Sequence, residues 1–220
     1  MKCEHKFLRA RQPEQKEQRR AQILKATAFL LERDGFDKVS LNAIARESKT
    51  AKSNVYRYFE SREDIFLQLL KDDWIAWIDL IEEELKPYHD SNDSDGVAKV
   101  VTQAICESKR MCQLISVLAS VLENNLSEKS LYAFKIESVQ LGMRLLGNIN
   151  SALPNIRSEK LMPAVQGIFA LIAGLWPLGN PCPLVEKVME RPELAPFKLE
   201  FEVALENSIQ LMLRGASVSD

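Results

Sequence analysis

Residues 48–64 read SKTAKSNVYRYFESRED. The stretch packs Tyr56, Tyr58 and Phe59 among Lys49, Lys52, Arg57 and Arg62 within about four helical turns. A buried helix would not carry this much charge. An ordinary wet helix would not carry outward aromatics beside it. With a helix over 51–59, Val55 and Phe59 fall four apart and share an inward face. Lys52, Ser53, Asn54, Tyr56, Arg57 and Tyr58 then lie off that face. Short side chains at the start of the helix let its backbone approach a groove floor. Asn bonds bidentately to adenine and Lys donates to guanine. Tyr, Arg and Lys reach phosphates on either side, and helix N-termini offer N–H groups to phosphate oxygens. The surface that fits all of this is the major groove of double-stranded DNA.

The flanking sequence supplies the frame. Residues 18–34 place Ile23, Ala26, Thr27, Leu30 and Leu31 on one helical stripe. Gly35 suits a left-handed stop after it, with Phe36 folding back. Ser40 is a good N-cap for a short helix with Leu41, Ile44 and Ala45 inward, ending near Ser48. Ser61 caps a fourth helix running to about Lys86, and Asp64 completes a capping box with Asp in place of Glu. Three helices in the first 60 residues, the second and third joined by a few residues, form a helix-turn-helix pattern. Charge agrees. Residues 1–62 hold 15 Lys/Arg against 8 Asp/Glu, a net +7, whereas residues 63–220 carry 14 against 23, a net −9. A basic head on an acidic body points the head at a polyanion.

The remaining chain also reads as helix: about 97–109, 110–124, 128–152, 158–176, a short 184–190 and a last helix from Pro196 to Arg214. No stretch alternates as a strand would. Residues 88–96, YHDSNDSDG, have a passing look of a calcium loop. With Gly96 at the sixth position, however, the first and twelfth positions are Ser91 and Thr102, which lack the required carboxylates. The run from Leu161 to Val185 is uncharged. With Pro177, Pro181 and Pro183 in it, the helix is expected to stop near Trp176, short of a membrane span and buried on most sides. No secretory signal is seen, and no membrane partner is expected. The four cysteines Cys3, Cys106, Cys112 and Cys182 form no C-x-x-C pair and fit a reduced, cytoplasmic protein. Cys106 and Cys112 read as core residues, with a redox pair the minor alternative.

No catalytic constellation is present. His5 and His89 stand outside any zinc or nucleophile motif, and no phosphate-binding glycine loop occurs. No enzymatic activity, metal or cofactor is expected. The body is rich in large apolar residues, of which Trp74, Trp77, Met111, Phe134, Met143, Phe169 and Trp176 are the candidates to line a ligand pocket. Few charges fall among them, so the expected effector is apolar or aromatic. Gly167, Ala170 and Gly174 make a small-residue edge. Phe197, Phe201, Leu205, Ile209 and Met212 make an apolar stripe on the last helix. Both are candidate homodimer contacts.

Residues 18–65 resemble the N-terminal domain of TetR/AcrR-type transcriptional regulators. The resemblance is carried by Ile23, the Gly35-Phe36 corner, Ser40, Ile44-Ala45, the VYRYF run at 55–59 and the Ser61-Arg62-Glu63 that follows. It implies an all-α homodimer: a three-helix helix-turn-helix head, residues 1–62, and a larger helical body, residues 63–220, for ligand binding and dimerisation. It implies that Lys52, Ser53 and Asn54 reach base edges. Ser40, Tyr56, Tyr58 and Arg62 then fall at phosphates. One departure stands out. The turn usually carries Gly where this chain has Lys49, and the usual capping Ser or Thr is Ala51, so Thr50 is expected to cap instead and Lys49 to add a phosphate contact. A ligand-responsive repressor leads. A DNA-associated structural or adaptor protein of the same fold is the alternative, and a helical small-molecule-binding or catalytic protein the third reading.

Overall fold

Pro13, with its fixed φ and no donor to waste, opens the first helix. The computed structural model describes residues 13–218. The histidine and cysteine of the N-terminal arm, His5 and Cys3, lie outside them. Helix α1 runs Pro13–Asp34, five residues earlier than its apolar stripe alone predicts, and buries Ile23, Ala26, Thr27, Leu30 and Leu31. The Thr27 hydroxyl donates to the Ile23 carbonyl at 2.9 Å, so its burial leaves no polar atom stranded. Gly35 ends the helix with φ 79° and ψ 164°. The φ is positive as expected, but the ψ lies outside the left-handed helical region, in backbone space that is essentially glycine's alone.

Helix α2 (Leu41–Glu47) is capped by Ser40, whose Oγ accepts from the Ala43 N–H at 3.2 Å. Helix α3 is only Lys52–Val55, shorter than the expected 51–59. The backbone tightens beyond it, where Arg57 and Tyr58 donate to carbonyls three residues back, at Asn54 and Val55. Helix α4 (Arg62–Glu84) starts on a modified capping box. Ser61 Oγ accepts from Asp64 N–H, and the Asp64 carboxylate accepts from Glu60 N–H rather than from Ser61, both at 3.0 Å. Burial is the largest influence on Asp64 and pushes its carboxyl up.

In the turn between α2 and α3, Lys49 adopts φ 51°. This is the position where the sequence departs from Gly, and a β-carbon is strained there. Lys49→Gly is therefore expected to stabilise the fold by about 1 kcal/mol, the relieved strain exceeding the extra chain entropy that Gly loses. Urea unfolding of the two proteins measures it.

The chain divides into two compact units between Ile65 and Phe66, within α4. The first has its own core of Ile23, Leu30, Leu31, Val39, Ile44, Val55 and Phe59, each no more than 2 % exposed. The second contains the rest of α4, α5 (Ser94–Glu107), α6 (Lys109–Ser116), α7 (Glu128–Ala152), α8 (Ser158–Gly179), α9 (Pro183–Met189) and α10 (Phe201–Ser217). Among the described residues there is no strand. Helix α8 packs against α6, α7 and α10, and α10 also lies on α5. The 88–96 loop is pinned to the end of α7, since Asp90 and Asn92 N–H donate to Ser151 and Ala152 carbonyls at 3.0 Å. Asp93 caps α5 through Gly96 N–H.

Two expectations for this unit are corrected. The helix expected over 110–124 stops at Ser116. Its winding then widens to a π turn over Leu118–Leu122, with Leu122 N–H reaching back five residues to Val117. Helix α8 does not stop near Trp176 but runs through Pro177 to Gly179. The proline removes one backbone bond in the last turn, and Asn180 donates to Trp176 O with both its backbone N–H and its side-chain amide. The 22-residue helix has the length and composition of a membrane span, as core helices also can, but only 28 % of its most apolar window is buried within the chain. It is not enclosed on most sides, as the sequence suggested.

Candidate nucleic-acid and effector sites

Val55 and Phe59, at 0 % and 2 % exposed, anchor α3 and the turn after it. That leaves Lys52, Ser53, Asn54, Tyr56 and Arg57 exposed on the other side, with Tyr58 half-buried. The Arg20 guanidinium lies over the Phe59 ring, 4.7 Å from its centre. Arg19, Lys49, Thr50, Ala51, Asn54 and Tyr58 enclose a cleft of about 140 Å³ beside the helix. Arg19 was not singled out from the sequence. It sits more than 25 residues away in the chain, and only the packing of α1 on α2 and of α2 on α3 brings it near.

Thr50 does not cap α3. Its Oγ1 donates to Ser48 O at 3.1 Å, and Ala51 holds the N-cap position without a side-chain bond. A hydroxyl that gives its proton to Ser48 has none for a phosphate. Ser40 differs, because its oxygen accepts from Ala43 and its proton stays available. Arg62 is used within its own unit. It donates to Val39 O at 3.0 Å and to the Glu63 carboxylate at 2.8 and 3.0 Å, and its guanidinium lies 5.4 Å from the Phe36 ring centre.

In the second unit, the seven aromatic and methionine candidates do not come together. Trp74, Trp77 and Phe169 do, with ring centres 4.6 Å (Trp74–Phe169) and 6.0 Å (Trp77–Phe169) apart. Both indole Nε1 atoms are buried without a hydrogen-bond partner. Trp77 and Met111 also line a cavity of about 380 Å³, with Ala76, Leu80, Ser108 and four charged residues: Asp73, Glu107, Lys109 and Arg110. Phe134 is buried elsewhere in α7. Met143 is 51 % exposed, because its side of α7 faces solvent, and Trp176 stacks edge-on against Phe201 at 5.1 Å. The sequence suggested few charges beside a ligand, and this cavity has four in its lining.

The dimer candidates divide likewise. Leu205 and Ile209 are fully buried in the chain's own core and cannot face a partner. Gly167 marks a close approach within the chain: a β-carbon there would meet Met212 Sδ at 2.7 Å. Phe201 packs on Trp176 and against Gly179. Ala170 and Gly174 on α8 are exposed, as is Phe197, in the short turn before α10. Burial pushes the Cys106 thiol up to about 11, with Glu202 and Glu206 adding to it, and Cys112 up to about 12. Thiols held protonated in this way do not suit a redox pair.

The model of a tetracyclin repressor-like C-terminal domain matches residues 71–220, and that of the tetR family of bacterial regulatory proteins matches residues 23–69. This chain belongs to the TetR family. Both its head and its body thus match regulatory proteins of the tetR type. This TetR-family chain is also similar to a curated protein, the fatty acid metabolism regulator protein of Bacillus subtilis. The identity is 29 % over 72 residues, 33 % of this chain and 37 % of that one. The match thus spans about a third of the length of the curated relatives. Among solved structures, a putative TetR-family regulator from Syntrophomonas wolfei aligns with TM-score 0.55 at 17 % identity, over 92 % of this chain and 96 % of that one. The regulator FadR from Bacillus subtilis, in complex with stearoyl-CoA, aligns with TM-score 0.50 at 17 % identity, over 90 % and 99 %. Identities this low establish the TetR fold and no more. The charged rim of the cavity was missed because Asp73 and Arg110 are 37 residues apart, and no sequence periodicity links them.

Proposed function

We propose that this chain is a cytoplasmic repressor that binds a pseudo-palindromic operator as a homodimer and is released by a small molecule with an apolar or aromatic body. Residues 1–62 are assigned to DNA and residues 63–220 to ligand and partner. The observation that carries the reading is the two-sided α3 segment, with Val55 and Phe59 sealed in the core and Lys52, Ser53, Asn54, Tyr56 and Arg57 outside. Lys52, Ser53 and Asn54 read bases. Ser40, Lys49, Tyr56, Arg57 and Tyr58 hold phosphates. Thr50 and Arg62 shape the turn and the start of α4. Ala170 and Gly174 on the open side of α8 meet the second copy. The effector works through α4, which carries Trp74 and Trp77 and spans the division between the units.

Selection of genomic fragments by the purified protein, followed by footprinting, tests the reading. Two half-sites about one helical turn apart, or a multiple of it, are expected beside a promoter. Binding scattered without sequence preference would favour an architectural role instead. Within the selected site, Asn54→Ala is expected to cost about 1–3 kcal/mol at one base position and relax preference there. Tyr56→Phe is expected to weaken all sequences alike, since phosphates carry no sequence information. Competition titrations with single-base variants separate the two, and a uniform loss for Asn54→Ala would remove it from the base-reading set.

A further inference from the structure

We propose that the cavity between α4 and α6 takes a small organic anion with an apolar body, which Arg110 accepts in exchange for Asp73. This rests on the reading of the second unit as an effector-binding body and names the chemistry of the effector. Trp77, Leu80, Ala76 and Met111 give the cavity an apolar wall, and Trp77 is 1 % exposed. Arg110 stands at the rim, its Nε donating to Asp73 Oδ2 at 2.8 Å and its Nη2 to Asp73 Oδ1. The guanidinium is thus already presented to a carboxylate in the two-pronged manner that also suits a ligand carboxylate. The pair is not sealed off: the Arg110 side chain is 38 % exposed and that of Asp73 16 %.

The sign of the ligand charge follows from α6. Lys109, Arg110 and Met111 are its first three residues, and all three line the cavity. Ser108, at the N-cap, gives its hydroxyl proton to Ala104 O and caps nothing. The positive end of the α6 dipole adds to Arg110, while α5 ends at the same Ser108 and offsets part of it, so the two-pronged guanidinium carries the preference for an anion. An anion that displaces Asp73 leaves Arg110 still paired. A cation that displaced Arg110 would leave the guanidinium beside Lys109 and the helix terminus, facing like charge. Glu107 and Lys109, the other two charges of the lining, are both exposed and screened alike by solvent, so Arg110 is the charge that sets the sign.

The exchange also explains why a ligand here would matter. The Asp73–Arg110 pair ties α4 to α6. Transferring Arg110 to a ligand unties that point of α4, the helix proposed above to carry the signal.

The test uses the full chain and three molecules of nearly equal shape: phenylacetate, phenethyl alcohol and phenethylamine. Tryptophan emission and calorimetry follow each titration. Phenylacetate is expected to bind saturably, at least ten-fold tighter than the alcohol or the amine. Arg110→Gln should remove at least ten-fold of that affinity and leave the alcohol unchanged. Asp73→Asn takes away the internal competitor and should tighten phenylacetate at least three-fold, a gain that loss of structure cannot imitate. The proposal is overturned if the amine binds as well as the carboxylate, if Asp73→Asn leaves phenylacetate binding unchanged or weaker, or if none of the three saturates. None of these results bears on operator binding by the free protein, which tests the repressor reading separately. If phenylacetate binds as described but does not lower operator affinity, the anion site stands and the repressor switch falls.

Discussion

Replacing Phe59 by alanine will destabilise the first unit by about 3–5 kcal/mol, the usual cost of emptying a buried aromatic site. Phe59 is 2 % exposed and closes a small core that includes Ile23, Leu30, Leu31, Val39, Ile44 and Val55. The substitution also takes away the ring beneath Arg20. A unit of this size has little stability to spare, since whole domains are held by only about 5–15 kcal/mol. Thermal unfolding should therefore show an early transition belonging to the first unit, with the second unit's transition in place. Operator binding should be lost in parallel, although Phe59 touches no DNA in the proposed arrangement. A single unshifted transition would show that the turn after α3 is not held by this ring.

Gly174→Asp and Ile209→Asp will have opposite kinds of effect, although the sequence put both residues in one dimer interface. Gly174 is exposed on α8, and a β-carbon added there meets nothing within 4 Å. Aspartate is no worse than glycine inside a helix, so the isolated chain should fold with unchanged stability. If a second copy covers this face, the new charge is buried without a partner, and self-association should weaken by at least about a hundred-fold, near 3 kcal/mol. Ile209 is 0 % exposed, in the α10 surface that packs on the chain's own helices. A carboxylate there should cost about 4 kcal/mol or more and unfold the second unit. Sedimentation of the two variants beside the unchanged protein reads the first effect, and urea unfolding reads the second. An unchanged protein that sediments as a monomer, or a Gly174→Asp protein that remains a dimer, would remove this face from the interface.

Much of the first unit was legible because its signals are local. The i, i+3, i+4 stripe of α1 places Ile23 through Leu31 inside, and Ser40 and Ser61 cap the helices that follow through bonds spanning three residues. Glycine after Asp34 announces a positive φ, a backbone conformation that is strained for any residue with a β-carbon. These features depend on neighbours in the chain, and a reader of the chain has them all. The limits appear where a local signal has two outcomes. Thr50 is a good cap by type, yet its hydroxyl bonds Ser48 O instead. Pro177 is a helix breaker by type, yet near a helix end it removes a single bond, and Asn180 closes the turn.

The second unit was legible as helices but not as an arrangement. Its apolar side chains are needed by a core, a pocket wall and a partner face alike, because all three exclude water and draw on the same residue types. Sequence alone therefore grouped Met143, Trp176 and Trp77 as one pocket. Tertiary packing sends the first to solvent, the second against Phe201 and the third to the cavity floor. It likewise divides the supposed dimer stripe, taking Leu205 and Ile209 inward and leaving Gly174 outside. By itself the sequence determined the helical class, the basic head and the two-sided segment around Val55 and Phe59, all written in periodicity, caps and charge. Only the tertiary structure decided which apolar faces meet within the chain and which charges gather at the cavity rim. Those contacts join residues far apart in sequence, and no local spacing records which distant helix will bury a given face.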